Sequence, residues 1–247
     1  MTTKLCVGLN KVALLRASRG NATPSLVEVA SALVERGCDA LLVHQWADNR
    51  HVRPDDVRAL AEIPAVAAGR VTLSVGSDIR PETLELVRRT PGVGVLVVTP
   101  FEAAHLTTQR GWRTTDDQAS LAAAVRTVAP SARVSVFVDP EEASVHAAAI
   151  AGAGSVELNC RAYVEHFGTS AARDALARLA EAGELARSLG LRVHAAHDLG
   201  SRHLPDLVHA LRPDQVSVGH NFVADAVLAG MCSVLPTFLR AVGSLDH

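Results

Sequence analysis

Three histidines in this chain each stand at the end of a short apolar, β-branched run: His44, His197 and His220. An imidazole with an ordinary pKa of ~6.5 both gives and takes protons near neutrality, so several at one mouth suit a reaction with repeated proton transfers, such as a multistep condensation. Other polar residues fall at comparable places. Asn10 and Lys11 end the first run, Glu157 and Asn159 lie on the sixth, and His194 and His197 follow the seventh. A lone histidine is more often structural, and the functional reading rests on convergence.

Gly219-His220 closes the last run and opens a helix. A glycine there lets backbone amides approach an anion at the positive end of the helix, so a phosphate-sized group is expected at this point, against the plainer reading of a tight turn. Lys11 is open to three uses: pairing with phosphate, forming a Schiff base, or simple solvation. His194-x-x-His197 also suggests metal-assisted hydrolysis. Strand one has no H-x-H pair, however, and Glu157 and Cys160 do not complete a ligand set, so no metal is expected.

These residues need a scaffold that gathers strand ends. Runs at Lys4 to Asn10, Asp39 to His44, Arg70 to Val75, Val93 to Val98, Arg133 to Val138, Ser155 to Asn159, Leu191 to Ala195 and Gln215 to Gly219 read as strands alternating with helical segments. Eight strands in βα alternation predict a single (β/α)8 TIM barrel over residues 1–247, whose carboxyl-terminal strand ends surround the active site. A doubly wound sheet would normally carry a G-x-G-x-x-G turn, and none occurs. Helix starts are expected at Thr23-Pro24, at Arg53-Pro54-Asp55-Asp56, at Thr115 with Gln118, and at Asp139-Pro140-Glu141-Glu142 with Asp139 as cap. Gly37 and Gly190 sit where helix ends need a left-handed residue.

Composition narrows the partners. The 247 residues are 48% hydrophobic and 20% charged with a net charge of -2, a balance that gives no field for nucleic acid or anionic lipid. A small anionic or phosphorylated substrate is the expected partner. The scattered cysteines Cys6, Cys38, Cys160 and Cys232 form no C-x-x-C pair and fit reduced thiols in a cytoplasmic protein. No run of ~18 apolar residues and no secretory pattern is found, so neither membrane spanning nor export is expected.

With these residues in place the chain resembles the pyridoxine 5'-phosphate synthase family of (β/α)8 barrels over nearly its whole length. The resemblance is carried by Gly8-Leu9-Asn10, Leu15-Arg16-Ala17-Ser18-Arg19-Gly20, Val43-His44, Asp48-Asn49-Arg50-His51-Val52, Val156-Glu157-Leu158, Ala162-Tyr163, His197 and Val218-Gly219-His220. It implies condensation of an amino-ketone phosphate with a deoxypentulose phosphate, closing a pyridine ring with loss of water and inorganic phosphate, without cofactor or metal. By position it makes His44 a proton acceptor and His197 a proton donor. Asn10 would contact the amino-ketone, Gly219 and His220 would hold a phosphate, and Arg19 and His51 would contact the second phosphate. Thr107 and Thr108 would lie in the loop over the site, and the protein would form a homo-oligomer.

Four positions depart from the family pattern. Strand one is shorter, with Lys11 in the place of a histidine. Leu73-Ser74-Val75 stands where the family has a catalytic glutamate, Trp46 where it has an arginine, and Asp198 where it has a glycine. Serine cannot act as a carboxylate base, and an indole cannot clamp an anion. Ser74, Trp46 and Asp198 are therefore expected to line a site for altered substrates, with Glu157 or Glu102 as replacement carboxylate. The alternatives are the authentic synthase, a non-catalytic anion-binding barrel and a metal-dependent hydrolase.

Overall fold

The computed structural model describes residues 2–101 and 108–243. In chain order it runs β1 (Lys4–Gly8), α1 (Asn10–Ala17), α2 (Leu26–Val34), β2 (Ala40–His44), α3 (Pro54–Ala61), α4 (Pro64–Ala67), β3 (Thr72–Ser77) and α5 (Pro81–Arg89). There follow β4 (Val93–Val98), α6 (Gln118–Val128), β5 (Arg133–Val138), α7 (Glu142–Ile150), β6 (Ser155–Asn159), α8 (Arg161–Glu165) and α9 (Ser170–Ser188). The chain ends with β7 (Arg192–Ala196), a 3₁₀ turn (Ser201–His203), α10 (Leu204–Leu211), β8 (Gln215–Val218), α11 (His220–Ala229) and α12 (Met231–Ala241).

The eight strands pair in sequence order, all parallel, and β1 closes on β8 to complete the expected (β/α)8 barrel. Side chains alternate across each strand. Leu5, Val7, Leu41, Val43, Leu73, Val75, Val156, Leu158, Val216 and Val218 belong to the large buried cluster shared with the helices. Val95, Val97, Phe137 and Ala196 form a second, smaller cluster, with Leu42 packed against it. The alternate residues of the other strands are polar and buried: Ser74, Ser135, Ser155, Glu157, His194, Gln215 and Ser217. The polar strand positions therefore fall outside the large helix-facing cluster, and Glu157 and Ser217 among them line the cavity.

Three strands match their expected bounds, and others shift. Strand one stops at Gly8, because the Leu9 amide donates to the Leu42 carbonyl and Asn10 already opens α1. Asn10 and Lys11 are thus helix residues at the barrel rim. Strand three lies two residues later than expected: the amides of Arg70 and Val71 both donate to the Ala65 carbonyl and belong to the turn after α4. Gly76 and Ser77 consequently form its carboxyl end.

Several helix starts also differ. Asp139 does not cap α7, whose N-cap is Glu141. Its Oδ1 instead accepts from the Gly111 amide (3.1 Å) and Asn159 Nδ2 (2.8 Å), tying the ends of β5 and β6 to the incoming chain. Only a glycine fits at 111, since a Cβ there would lie 2.1 Å from the Asp139 nitrogen. Asp117, rather than Thr115, caps α6 by accepting from the Ser120 amide, and Ser25, rather than Thr23, caps α2. Asp56 accepts from the Arg53 amide at 2.8 Å as expected, and Gly37 and Gly190 have φ of +92° and +80°.

Candidate active site

A cavity of about 370 Å³ opens at the carboxyl ends of the strands, and His44, His197 and His220 all line it. Asn10, Lys11, Trp46, His51, Thr108, Glu157, Asp198 and Gly219 join them. The barrel brings these together because most sit on or just beyond a strand end, while His51 and Thr108 come from the longer connections after β2 and β4.

His44 ends β2, and its backbone amide donates to Asn10 Oδ1 at 2.7 Å, which ties the start of α1 to the end of β2. The ring stacks on Trp46, and its Nε2 lies 3.4 Å from Thr99 Oγ1. Burial pushes the imidazole down to about 3, with His51, Arg80 and Arg50 adding positive charge nearby. His44 is therefore neutral at physiological pH, with a ring lone pair facing the cavity wall. Beneath it Arg80 donates to the Gln45 carbonyl and to Gln45 Oε1, while Gln45 Nε2 donates to the Trp46 carbonyl, fixing the turn after β2.

His51 is buried, and its Nδ1 accepts from the Val52 amide at 2.8 Å. Burial first, then Arg50 and Lys11, lowers its pKa to about 4, which leaves a neutral ring. Glu157 lies inside the barrel on β6 and accepts from Ser217 Oγ at 2.9 Å. Burial raises its pKa to about 7, opposed by that hydrogen bond and by His197, so the carboxyl is poised near neutrality for proton exchange.

His197 follows β7 with its Nδ1 3.0 Å from Asp198 Oδ2 and its Nε2 2.8 Å from the Thr108 carbonyl. The first is a contact ion pair whose alignment falls short of a hydrogen bond. Burial disfavours the charged ring, but Asp198 and the Thr108 carbonyl outweigh it and raise the pKa. Asp198 is held low chiefly by His197, with Arg161 and His220 adding. Gly219 precedes α11, no side chain caps that helix, and a Cβ on Gly219 would meet no atom within 4 Å.

Other expected site residues are placed differently. Ser74 is buried but does not line the cavity; Gly76, two residues on, does. A serine side chain is too short to reach the cavity from that layer. Arg19 is exposed beyond the end of α1, away from the cavity. Thr107 and Glu102 lie outside the described residues. His194 is buried on β7 and absent from the cavity wall, so it does not join His197. Among the described residues no group of three His, Cys, Asp or Glu side chains is placed to share a metal ion.

The cavity also contains residues that the strand-end reading passed over. Arg161, at the start of α8, bonds Gln109 and pairs with Glu165 at 2.6 Å. Thr99, Phe137 and Ser217 also line the wall. Thr99 and Arg161 each follow a strand by one or two residues and were legible by that criterion; Gln109 sits in a long connection with no such signal.

The chain matches the family described as pyridoxal phosphate biosynthesis protein PdxJ over residues 5–244. It is 34% identical to a pyridoxine 5'-phosphate synthase of Albidiferax ferrireducens over 247 residues, covering 98% of each chain. It is also 34% identical to one of Xanthomonas axonopodis pv. citri, covering 94% of this chain and 93% of that one. Among solved structures, phosphoribosyl anthranilate isomerase of Thermotoga maritima superposes with a TM-score of 0.64 at 15% identity, covering 98% of this chain and 100% of that one. The Amycolatopsis orientalis BexX/CysO complex matches with a TM-score of 0.61 at 19% identity, covering 99% and 91%. These structural likenesses concern the barrel fold, whereas the sequence matches run the length of the chain, and on their strength this protein belongs to the PdxJ family of pyridoxine 5'-phosphate synthases.

Proposed function

We propose that this protein is a synthase-like condensing enzyme that joins a small amino-ketone to a keto substrate and closes a ring, with at least one substrate phosphorylated or otherwise anionic. The observation that carries the reading is the convergence of His44, Glu157 and His197 on one cavity, with His197 Nδ1 3.0 Å from Asp198 Oδ2 so that its charged form is favoured, while burial favours the neutral ring of His44. In a dehydration step, His44 takes the proton whose bonding pair becomes the new double bond. His197 protonates the hydroxyl that leaves as water with the C–O pair. Glu157 supplies carboxyl chemistry that Ser74 cannot. Lys11 and the first turn of α11 at Gly219-His220 receive the anion.

Altered substrates are favoured over the parent pair by Ser74, whose hydroxyl lies off the cavity, and by Trp46, a buried indole stacked on His44. The authentic synthase is the second reading, favoured by the retained His44, His197 and Gly219-His220. The free cysteines Cys6, Cys38 and Cys160 are consistent with a cytosolic setting. No helix among the described residues is long and apolar enough to cross a membrane.

The test is steady-state turnover with the two family substrates, first for the wild type and then for the Ser74→Glu, Trp46→Arg double variant. Absence of a general base typically costs ~10² to 10⁴ in rate, so the wild type is expected to be slow and the double variant faster. Wild-type turnover equal to that of the Albidiferax relative would replace the altered-substrate reading with the plain synthase.

A further inference from the structure

We infer that Asp198 is a positioning residue, one that holds His197 as the proton donor of the cavity through an ion pair formed within a single turn. The inference deepens the condensation reading and rests on it for the use to which that proton is put.

The backbone makes the pair. His197 and Asp198 are consecutive non-glycine residues with φ of +82° and +55°, a conformation that L residues adopt only when their surroundings fix it. Asn221 Nδ2 fixes it from α11 by donating to the Asp198 carbonyl at 2.5 Å. The turn then brings Asp198 Oδ2 to 3.0 Å from His197 Nδ1.

The other edge of the ring completes the case. A carbonyl oxygen only accepts, so the 2.8 Å approach of the Thr108 carbonyl requires a proton on Nε2. With an anion at Nδ1 and an acceptor at Nε2, both nitrogens favour a hydrogen and the ring is held as imidazolium. The charges facing it pull in two directions. Glu157 and Asp198 favour the cation, while Arg161 opposes it, and His220 acts on Asp198. Phe137, 5.9 Å away between ring centroids, contributes no charge. The adjacent carboxylate, the nearest of these, decides the balance.

On the far wall His44 lies among Arg50, Arg80 and His51. The two histidines thus take opposite protonation states at one pH, which assigns acid and base. A substrate oxygen replaces the Thr108 carbonyl at Nε2, takes that proton as its C–O bond breaks, and leaves with the bonding pair as water. The neutral ring then recovers a proton from solvent, drawn by Asp198.

The experiment is an NMR pH titration of protein labelled at histidine Cε1, with the His197 resonance assigned by its loss in His197→Gln. Wild-type His197 is expected to titrate above 6.5, Asp198→Glu to stay close to it, and Asp198→Asn to fall by about one pH unit, a tenfold loss of proton affinity. Asp198→Gly tests the same charge with a residue that accepts positive φ, so it judges the proposal even where the Asn variant folds poorly. An unchanged midpoint in the neutral variants overturns the assignment. The titration uses no substrate, so failure of the family substrates to turn over would count against the condensation reading alone. Where they do turn over, the alkaline limb of kcat is expected to move to lower pH in Asp198→Asn with KM little changed.

Discussion

The imidazole of His44 stacks on the indole of Trp46 with ring centroids 4.0 Å apart and planes 22° from parallel. Arg50 lies 5.3 Å over the same indole, and Phe101 approaches it at 6.0 Å. Trp46 therefore fills space beside His44 and restricts the plane of its ring. The orientation of His44 is thus set in part by one neighbouring side chain.

The fit of His44 depends on Gly76. A methyl at Gly76 would lie 2.7 Å from His44 Nδ1, and the stack on Trp46 restricts the ring's retreat. Gly76→Ala is expected to displace the imidazole and lower turnover by ~10²-fold, the usual scale for a misplaced catalytic group. With Trp112 changed to Phe, Trp46 becomes the sole indole, and its emission reports the lost stack. Unchanged emission and turnover would mean that the ring does not need this slot.

Glu157→Gln keeps the shape of the carboxyl and its acceptor oxygen for Ser217 while removing the titratable proton. The variant is expected to fold as the wild type does and to lose ~10² to 10⁴ in turnover on any substrate the enzyme accepts. Full activity would show that Glu157 is a structural acceptor only.

Stability should fall on the acid side of neutrality. His44, His51 and His194 have folded pKa values near 3, 4 and 4, below the ordinary 6.5. Their contribution is present above 6.5 and is lost as pH falls toward the folded values, at about 1.4 kcal/mol per pH unit for each. Glu157 has the opposite sign. Its folded pKa of about 7 exceeds the ordinary 4.5, so its contribution is present below 4.5 and lost as pH rises through 7, offsetting one histidine between 4.5 and 6.5. Thermal unfolding from pH 6.5 to 5 is expected to show stability falling with pH, and His194→Gln to flatten the slope. A flat profile would mean that these rings do not remain neutral in the folded chain.

Inorganic phosphate is expected to bind at Lys11 and the first turn of α11. Loss of a charged hydrogen bond costs roughly 1.5 to 3 kcal/mol, so Lys11→Met should weaken binding about tenfold or more in calorimetry. Equal affinities for wild type and variant would remove Lys11 from the anion site.

Self-association is expected from the surface. Leu15 on α1 is 63% exposed, and Val227 and Leu228 on α11 are 79% and 92% exposed, on two helices that pack together. Exposed apolar groups concentrated on neighbouring helices commonly mark an interface. Sedimentation at micromolar concentration should show a dimer or larger species, and Leu228→Asp should shift it toward monomer. A monomeric wild type would end this reading.

No metal requirement is expected, and turnover in the presence of a chelator should equal that in its absence. Loss of activity on chelation, restored by zinc, would favour the hydrolase alternative.

Much of this molecule was legible without coordinates because its governing signals are local. Short apolar, β-branched runs alternating with helical segments specify parallel strands and crossover helices, and a closed parallel barrel collects its strand ends at one face. That was enough to bring His44, Glu157, His197 and Gly219-His220 to one cavity. The tertiary structure decided what depends on register and on distant chain. A two-residue shift of strand three put Gly76, and not Ser74, on the cavity wall, because Arg70 and Val71 are bound by the Ala65 carbonyl. Asp139 left its expected cap to join Gly111 and Asn159, partners 28 and 20 residues away. Asp198 was legible only as a departure from glycine expected to line the site, and its backbone conformation turns it onto His197. Side-chain direction at positive φ, and the choice between a near cap and a far partner, follow from packing energies spread over many residues, so no local pattern in the sequence records them.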